Sequence, residues 1–509
     1  MKPLMRNVAF SVVWQFALLI FSLVVARLVF KQLGPEVLGI INISVTISAL
    51  LIAVLDVGTS ITVAREVAAY KSRDMSYVRE IVSTYATVAW GFFLFGALAI
   101  AIASDKLATG WLNLSHLDPQ HVKMAVGVIS TALLMGLPRS IYVACVNGFE
   151  KTARTSAFNA GITVTQQLGM MAVLAAGGSI DLMVAWYAAW SILALIPFMV
   201  EVRALLGPSG LRLGYRHSII RAHMKGNLAL AVNALANYAN AQLDRWAIGA
   251  LLPLSMLGFY GTAQGVVGKM AVLPGAIAGV AFPTFASNFG DGDTDGWRRH
   301  YHLLQELACW LLMPVAAIAT IGAIAAMLLV FHAEVAKDLW VAILFMGLGQ
   351  LLAGTMYIPT WLAMAVKRMD LVLRTSLSAL LVVPLATIGL TVAFGVTGAA
   401  LGSVVLGIWQ WLFFVPRFSR CCLDKPAVHW YWHAGKYVGL GLAVYGITWI
   451  SILHMQAPTS IAPLVLIAGV GTIGYGALTW HLIPDVLRAW IKAQLWRALQ
   501  AGQSGAKAK

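Results

Sequence analysis

Charge is scarce in this sequence. Only 11% of its 509 residues are Asp, Glu, Lys or Arg, against roughly a quarter in soluble domains, and 60% are hydrophobic, with a mean hydropathy of +0.81. That balance excludes a soluble globule. Acidic residues are scarcer than basic ones, 20 against 35, which leaves a net charge of +15. Cysteine is nearly absent. Cys145, Cys309, Cys421 and Cys422 have no CxxC spacing, so neither a metal site nor a disulfide framework is indicated. The adjacent pair at 421 and 422 stands at the end of an apolar run, where lipidation occurs in some proteins, although chance placement is the simpler account. The chain also lacks a P-loop, an HExxH motif, a nucleophile elbow and any polar stretch large enough for a soluble catalytic domain. No enzyme activity and no cofactor are expected.

Long apolar runs dominate instead. Stretches of about 20 residues match the length needed to cross a hydrocarbon core of about 30 Å, and Gly and Pro occur inside them, as membrane helices tolerate. Hydropathy and turn residues place fourteen spans at 9–30, 38–62, 80–104, 123–148, 157–177, 183–202, 226–251, 261–286, 303–331, 339–366, 371–393, 398–416, 434–453 and 461–483. The first run follows Lys2 and Arg6, is too long for a signal-peptide core and has no small-x-small cleavage site, so it reads as a span. With both termini in the cytoplasm, 27 of the 35 basic residues fall on inner segments. The outer loops hold only Lys31, Lys106, Lys123 and Lys337. This asymmetry supports that orientation and accounts for the positive charge without nucleic acid. After Pro484, Leu487, Trp490, Ile491, Leu495 and Leu499 repeat at helical spacing beside Arg488, Lys492 and Arg497. The pattern reads as an amphipathic tail on the cytoplasmic leaflet.

The two halves match at a shift of 219 to 220 residues. Asn7 and Ala9 align with Asn227 and Ala229, Leu38-Gly39 with Leu257-Gly258, Arg154-Thr155-Ser156 with Arg374-Thr375-Ser376, and Gly178 with Gly398. The apolar spans predict an all-α polytopic membrane protein, and a duplication of this kind predicts that its core is built of two repeats. Two parallel six-helix repeats would form N and C lobes around a central cavity. The expected divisions are 1–207 for the N lobe, 208–225 for a cytoplasmic linker, 226–424 for the C lobe, 425–484 for two additional helices and 485–509 for the tail.

Three stretches carry a family resemblance. LGPEVLGIINISVTISALLIAVLDVGTSITVAREVA (33–68), the loop NGFEKTARTS (147–156) and LDRWAIGALLPLSMLGFYGTAQGVVGKMAVLPGAIAGVAFPTFAS (243–287) resemble polysaccharide flippases of the multidrug/oligosaccharidyl-lipid/polysaccharide exporter superfamily. The resemblance covers about the first 420 residues. It implies translocation of undecaprenyl-pyrophosphate-linked oligosaccharide units from the cytoplasmic to the periplasmic leaflet of the bacterial inner membrane, for O antigen or exopolysaccharide. Polymerase and chain-length proteins of the same pathway are implied partners. The last two spans depart from the common twelve-helix form. The Arg-rich signature of lipid II flippases is missing, which points away from a peptidoglycan precursor.

Apart from Lys123, Arg374 and Lys436 at the very ends of spans, four basic residues fall inside them: Arg27, Arg139, Arg245 and Lys269. Intramembrane charges usually line a polar interior, and a desolvated pyrophosphate needs cationic partners, for which Arg offers a bidentate fork. These four are the candidate substrate contacts. The competing account for Arg27 is snorkelling to the interface. Asp244, Asp56 and Glu306 are candidates for ion coupling or for structural pairs, with the structural role favoured. Asn233, Asn237, Asn240 and Gln242 are candidate sugar contacts. Glycines at 261, 265, 268, 275 and 279 with Pro274 and Pro283 give the eighth span the means either to bend or to pack closely. The rival function is an ion-coupled multidrug antiporter of the same superfamily, for which an acidic cavity would be expected. A polysaccharide polymerase would need a large outer loop that this sequence does not have.

Overall fold

Proline-marked breaks divide the long helices of this chain. A computed structural model describes residues 2–485 except 57, 115, 116 and 455, together with 488 and 489. Its side chains are described from 17 onward, save at 209, 225–230, 280 and 283. The expected amphipathic tail therefore lies almost wholly outside the described residues.

The chain falls into two compact units, one built from residues up to 262 with 380–399, the other from 263–379 with 400 onward. In the first lie α1 (Lys2–Leu33), α2 (Pro35–Leu55), α3 (Thr59–Tyr70), α4 (Met75–Lys106), α5 (Pro119–Leu134), α6 (Gly136–Gly148), α7 (Thr152–Ala175), α8 (Ile180–Leu193), α9 (Ile196–Leu206), α10 (His217–Leu251) and the start of α11 (Leu254–Val267). In the second lie α12 (Val272–Gly290), α13 (Thr294–Val330), α14 (Ala333–Thr355), α15 (Tyr357–Ala365), much of α16 (Met369–Phe418), α17 (Ala427–Leu453) and α18 (Ile461–Thr479).

The breaks follow from residues that cannot continue a helix. Proline has no N–H for the carbonyl four residues back and clashes with it. Pro138, Pro197 and Pro359 each stand in the first turn of the second helix after such a break, at α5/α6, α8/α9 and α14/α15. Each pair still forms one apolar run. The expected span at 38–62 is not one helix. It ends at Leu55, and a turn with Gly58 at φ 67° leads into α3. Helix α16 is 50 residues long, about 75 Å at 1.5 Å per residue, far more than one bilayer crossing. Gly395, at φ 59° and ψ −135°, divides it.

Among the described residues, ten helical runs are long and apolar enough to cross a membrane. Three more helices, α1, α7 and α10, have the length, at 32, 24 and 35 residues. The chain is thus a multi-span membrane protein with an all-helical fold. Leu381, Leu385, Ile388 and Val392 on α16 lie at i, i+4, i+7 and i+11 and are all exposed, a lipid-facing stripe. Packing inside the first unit centres on Val63, Val78, Tyr85, Ile141 and Phe198. The second packs around Phe285, Trp297, Tyr301, Phe418 and Tyr437.

Left-handed backbone positions recur along the chain. Glu150, Gly177 and Gly207 have positive φ, and so do Lys367, Gly395 and Asp424, each 217 or 218 residues later. Helix-terminating turns of this kind are set by local chain reversal, so the recurrence is one of backbone as well as of letters.

Candidate functional site

Arg139 is placed by the break between α5 and α6. It follows Pro138, its backbone N–H bonds Met135 O at 3.2 Å, and it is half-buried. It stands nine residues before the end of α6 at Gly148, about 13 Å along the axis, too deep for a short reach to the interface. Among the described residues its guanidinium has no carboxylate within ion-pair distance. Arg27 is exposed on α1, six residues before Leu33, and Arg245 is half-buried on α10, six residues before Leu251.

Helix α10 carries the polar residues expected to meet sugar, but not on one face. Asn233, Asn237, Asn240 and Asp244 are spaced i, i+4, i+7 and i+11, which gathers them within a narrow sector at 100° per residue. Asn237 Nδ2 donates to Asn233 O at 2.9 Å and to Asn233 Oδ1 at 3.0 Å. Gln242 is nine positions from Asn233 and so points to the opposite side, where its Oε1 is buried without a hydrogen-bond partner. The four candidate amides are therefore three plus one. Asp244 is buried, accepts from Tyr260 hydroxyl at 2.6 Å and takes the Arg245 backbone N–H at 2.8 Å. Tyr238 hydroxyl donates to Thr46 O at 2.5 Å, fixing α10 on α2. Neither tyrosine was singled out by sequence. Tyr260 closes the LGFY turn, and that was its available signal.

Asp56 is a helix cap. Its Oδ1 accepts from Thr59 Oγ1 at 2.5 Å and Ser60 N at 3.2 Å, and its Oδ2 accepts from Ser60 Oγ at 2.8 Å, which satisfies donors at the start of α3. In the second unit Lys269 lies, half-buried, in the 3₁₀ turn Gly268–Ala271 that interrupts the helical run between α11 and α12. Gly268 stands in this turn, with Gly265 and Pro274 each three residues beyond its ends, and such mid-helix turns often mark hinges, whereas Gly261 lies close against Asn42. Glu306 is buried on α13, with His433 Nδ1 donating to its Oε1 and Lys436 Nζ 3.3 Å from the same oxygen. His433 and its neighbour His429 also went unread in the sequence, although their i, i+4 spacing puts them on one helix face.

The basic NGFEKTARTS loop is engaged by its own unit. Lys151 Nζ lies 3.0 Å and Arg154 Nη1 2.6 Å from Oε1 of the buried Glu201 on α9. Because both cations remain partly solvated, their contribution is that of a screened, charge-assisted pair rather than of a fully buried one. Glu201→Gln is expected to lower stability by about 1–2 kcal/mol, read as an earlier thermal unfolding transition of the purified protein, whereas Arg154→Lys, which keeps the cation beside Glu201, should retain most of the wild-type stability.

Residues 24–334 match the profile of the family described as "Polysaccharide biosynthesis protein". A Shigella flexneri protein named "Putative O-antigen transporter" is 22% identical over 259 residues, half of this chain and 60% of that protein's own length. Among solved structures, an inward-facing multidrug resistance MATE family transporter of the MOP superfamily matches 80% of this chain and 98% of its own, with a TM-score of 0.66 and 12% identity. The lipid II flippase MurJ in an inward closed conformation matches 93% of this chain and 99% of its own, with a TM-score of 0.64 and 15% identity. At those identities the likeness is one of fold, which is that of the MOP superfamily. With the profile match extending over more than half of its length, the chain belongs to the polysaccharide biosynthesis protein family.

Proposed function

We propose that this protein translocates an undecaprenyl-pyrophosphate-linked oligosaccharide from the cytoplasmic to the periplasmic leaflet of a bacterial inner membrane, for O-antigen or exopolysaccharide assembly. Membership of a polysaccharide biosynthesis family and the likeness to an O-antigen transporter support the cargo class. The observation that carries the reading is Arg139, a cation deep in a membrane-spanning run with no ion-pair carboxylate among the described residues. Holding a charge there is unfavourable unless an anion or water meets it, and a phosphate held by the guanidinium fork provides the anion.

On this reading Arg139, Arg245 and Arg27 on the first unit and Lys269 on the second are the cations offered to the pyrophosphate. Asn233, Asn237 and Asn240 form the sugar-facing stripe, and alternating access moves the headgroup while the lipid tail stays in the bilayer. Fourteen crossings follow if α1, α7 and α10 join the ten apolar runs and Gly395 divides the longest of them. The duplicated lobes, 1–207 and 226–424, are supported by the recurrent left-handed positions at 150, 177 and 207 and at 367, 395 and 424. A linker at 208–225, an added helix pair at 425–484, a membrane-surface tail at 485–509 and cytoplasmic termini complete the proposed topology. Polymerase and chain-length proteins are the proposed partners.

The test is leaflet exchange of a labelled undecaprenyl-pyrophosphate oligosaccharide in proteoliposomes. Exchange that requires the protein is the expected result. Export of small cationic drugs with no exchange of the lipid would replace this reading with the antiporter one, which the MATE-like fold makes the natural rival.

A further inference from the structure

The second unit contains a cluster of titratable groups that cargo binding leaves unused. Glu306 on α13 is buried. Its Oε1 accepts from His433 Nδ1 and lies 3.3 Å from Lys436 Nζ, both on α17. His433 Nε2 is 3.2 Å from Nε2 of His429, one turn earlier and exposed. A third imidazole, His302 on α13, has its ring centroid 6.0 Å from His429 and 6.2 Å from His433. The other charged or titratable groups facing the cluster are Lys425 from the α16–α17 turn, Tyr301 and Cys309 from α13, and Tyr437 from α17. Beside them is a pocket of about 10 Å³, room for about one water. Glu306 Oε2, Gln305 Oε1 and Ser419 Oγ, on three residues that line this pocket, are buried without a hydrogen-bond partner. Among the described residues no group has the arrangement of a metal site.

An exposed imidazole, a second imidazole and a buried carboxylate joined by hydrogen bonds form a path for a proton. We infer that His429, His433 and Glu306 are a proton-binding relay, and that the proton is the ion coupled to transport; the coupling, though not the relay, rests on the transport reading above. A proton arriving at His429 Nδ1 allows the His429 Nε2–H to pass to His433 Nε2. The His433 Nδ1–H then passes to Glu306 Oε1. One proton enters, each ring gains one and loses one, and no bond between heavy atoms changes. In the loaded state Glu306 is a neutral acid. The attraction that now holds Lys436 and His433 of α17 to Glu306 of α13 is then reduced, which loosens this contact between the two helices. The relay thereby gives the helix pair after residue 425 a role in the cycle.

Two measurements separate the relay from the transport reading. In lipid bilayers, magnetic-resonance spectra of ¹⁵N-histidine-labelled protein recorded as a function of pH are expected to show two imidazoles exchanging tautomer together, His429 from Nε2–H to Nδ1–H and His433 from Nδ1–H to Nε2–H. They are assigned by their loss in His429→Gln and His433→Gln, and both midpoints should shift in Glu306→Gln. Independent exchange, or midpoints indifferent to Glu306→Gln, would overturn the relay whatever the cargo is. In proteoliposomes, the ratio of oligosaccharide-lipid exchange with and without an imposed pH gradient should exceed one for the wild type and fall to one in His429→Gln, whose exposed site spares the fold, and in Glu306→Gln. Wild-type exchange that ignores the gradient would refute coupling while leaving the flippase reading intact. No exchange of any such lipid would refute the flippase reading, and the histidine titration would still decide the relay.

Discussion

Arg139→Ala is expected to slow leaflet exchange of the proposed pyrophosphate-linked cargo by ~30- to 150-fold, the loss of one charge-assisted contact of about 2–3 kcal/mol. The residue sits about 13 Å from the end of α6 by helical rise, behind a proline-induced break, where the described residues supply no carboxylate to neutralise it. A structural arginine in that position would be expected to have a fixed partner. An arginine that meets a transient anion has none in the empty protein. Arg139→Lys should be less damaging, about tenfold, because the charge survives while the bidentate fork is lost. The initial rate of exchange at matched protein insertion is the measurement. A structural role predicts the opposite pattern: lower folded yield in Arg139→Ala, with the surviving protein exchanging at the wild-type rate.

The sequence carried the membrane class and much of the helix pattern because both depend on one-dimensional signals. Runs such as 434–453 and 461–483 are continuous stretches of apolar residues, and they appear as α17 and α18 with only terminal differences. Breaks were less legible. Pro138 and Pro197 mark them, but a proline alone does not tell whether a membrane helix bends or stops, and the break between Leu55 and Thr59 falls inside the apolar run 38–62 with no proline to mark it. The candidate site divided in the same way. The polar stripe on α10 was visible as a dense run of amides, but placing Gln242 on the opposite face requires an uninterrupted helix and its phase. Asp244, a candidate for ion coupling or for a structural pair, accepts from the Tyr260 hydroxyl, a contact between residues on consecutive helices that no spacing rule predicts. The histidine cluster was missed because its members lie on α13 and α17, more than 120 residues apart. Only the i, i+4 pairs His429/His433 and His302/Glu306 were local enough to be seen.

Gly39→Ala is expected to be among the most destabilising single-methyl additions in the first unit. A Cβ at Gly39 would lie 2.2 Å from Leu254 O and 2.6 Å from Leu254 Cγ, and backbone cannot swing aside. The crossing of α2 on α11 is reciprocal, since a Cβ at Gly258 would lie 2.7 Å from Leu38 Cβ and 2.8 Å from Gly39 N. These are the two Leu-Gly pairs that align in the duplication, brought into contact with each other. Small residues permit such close backbone approach in membranes, where packing rather than hydrophobic exclusion holds helices together. Overpacking a well-fitted contact costs about 1–3 kcal/mol, and Gly39→Ala belongs at the upper end of that range because the obstruction is a carbonyl. Gly261→Ala on the same helix should cost less. Its nearest obstruction is the Asn42 side chain, which can rotate away after giving up its 2.9 Å bond to Leu38 O. Gly91→Ala on α4, with nothing within 4 Å, should be neutral or slightly stabilising. The double variant Gly39→Ala/Gly258→Ala should cost less than the sum of its parts, because the first methyl already separates the helices. Thermal survival of the monodisperse protein in detergent would rank the series. Equal stability of Gly39→Ala and Gly91→Ala would remove the crossing from any structural role.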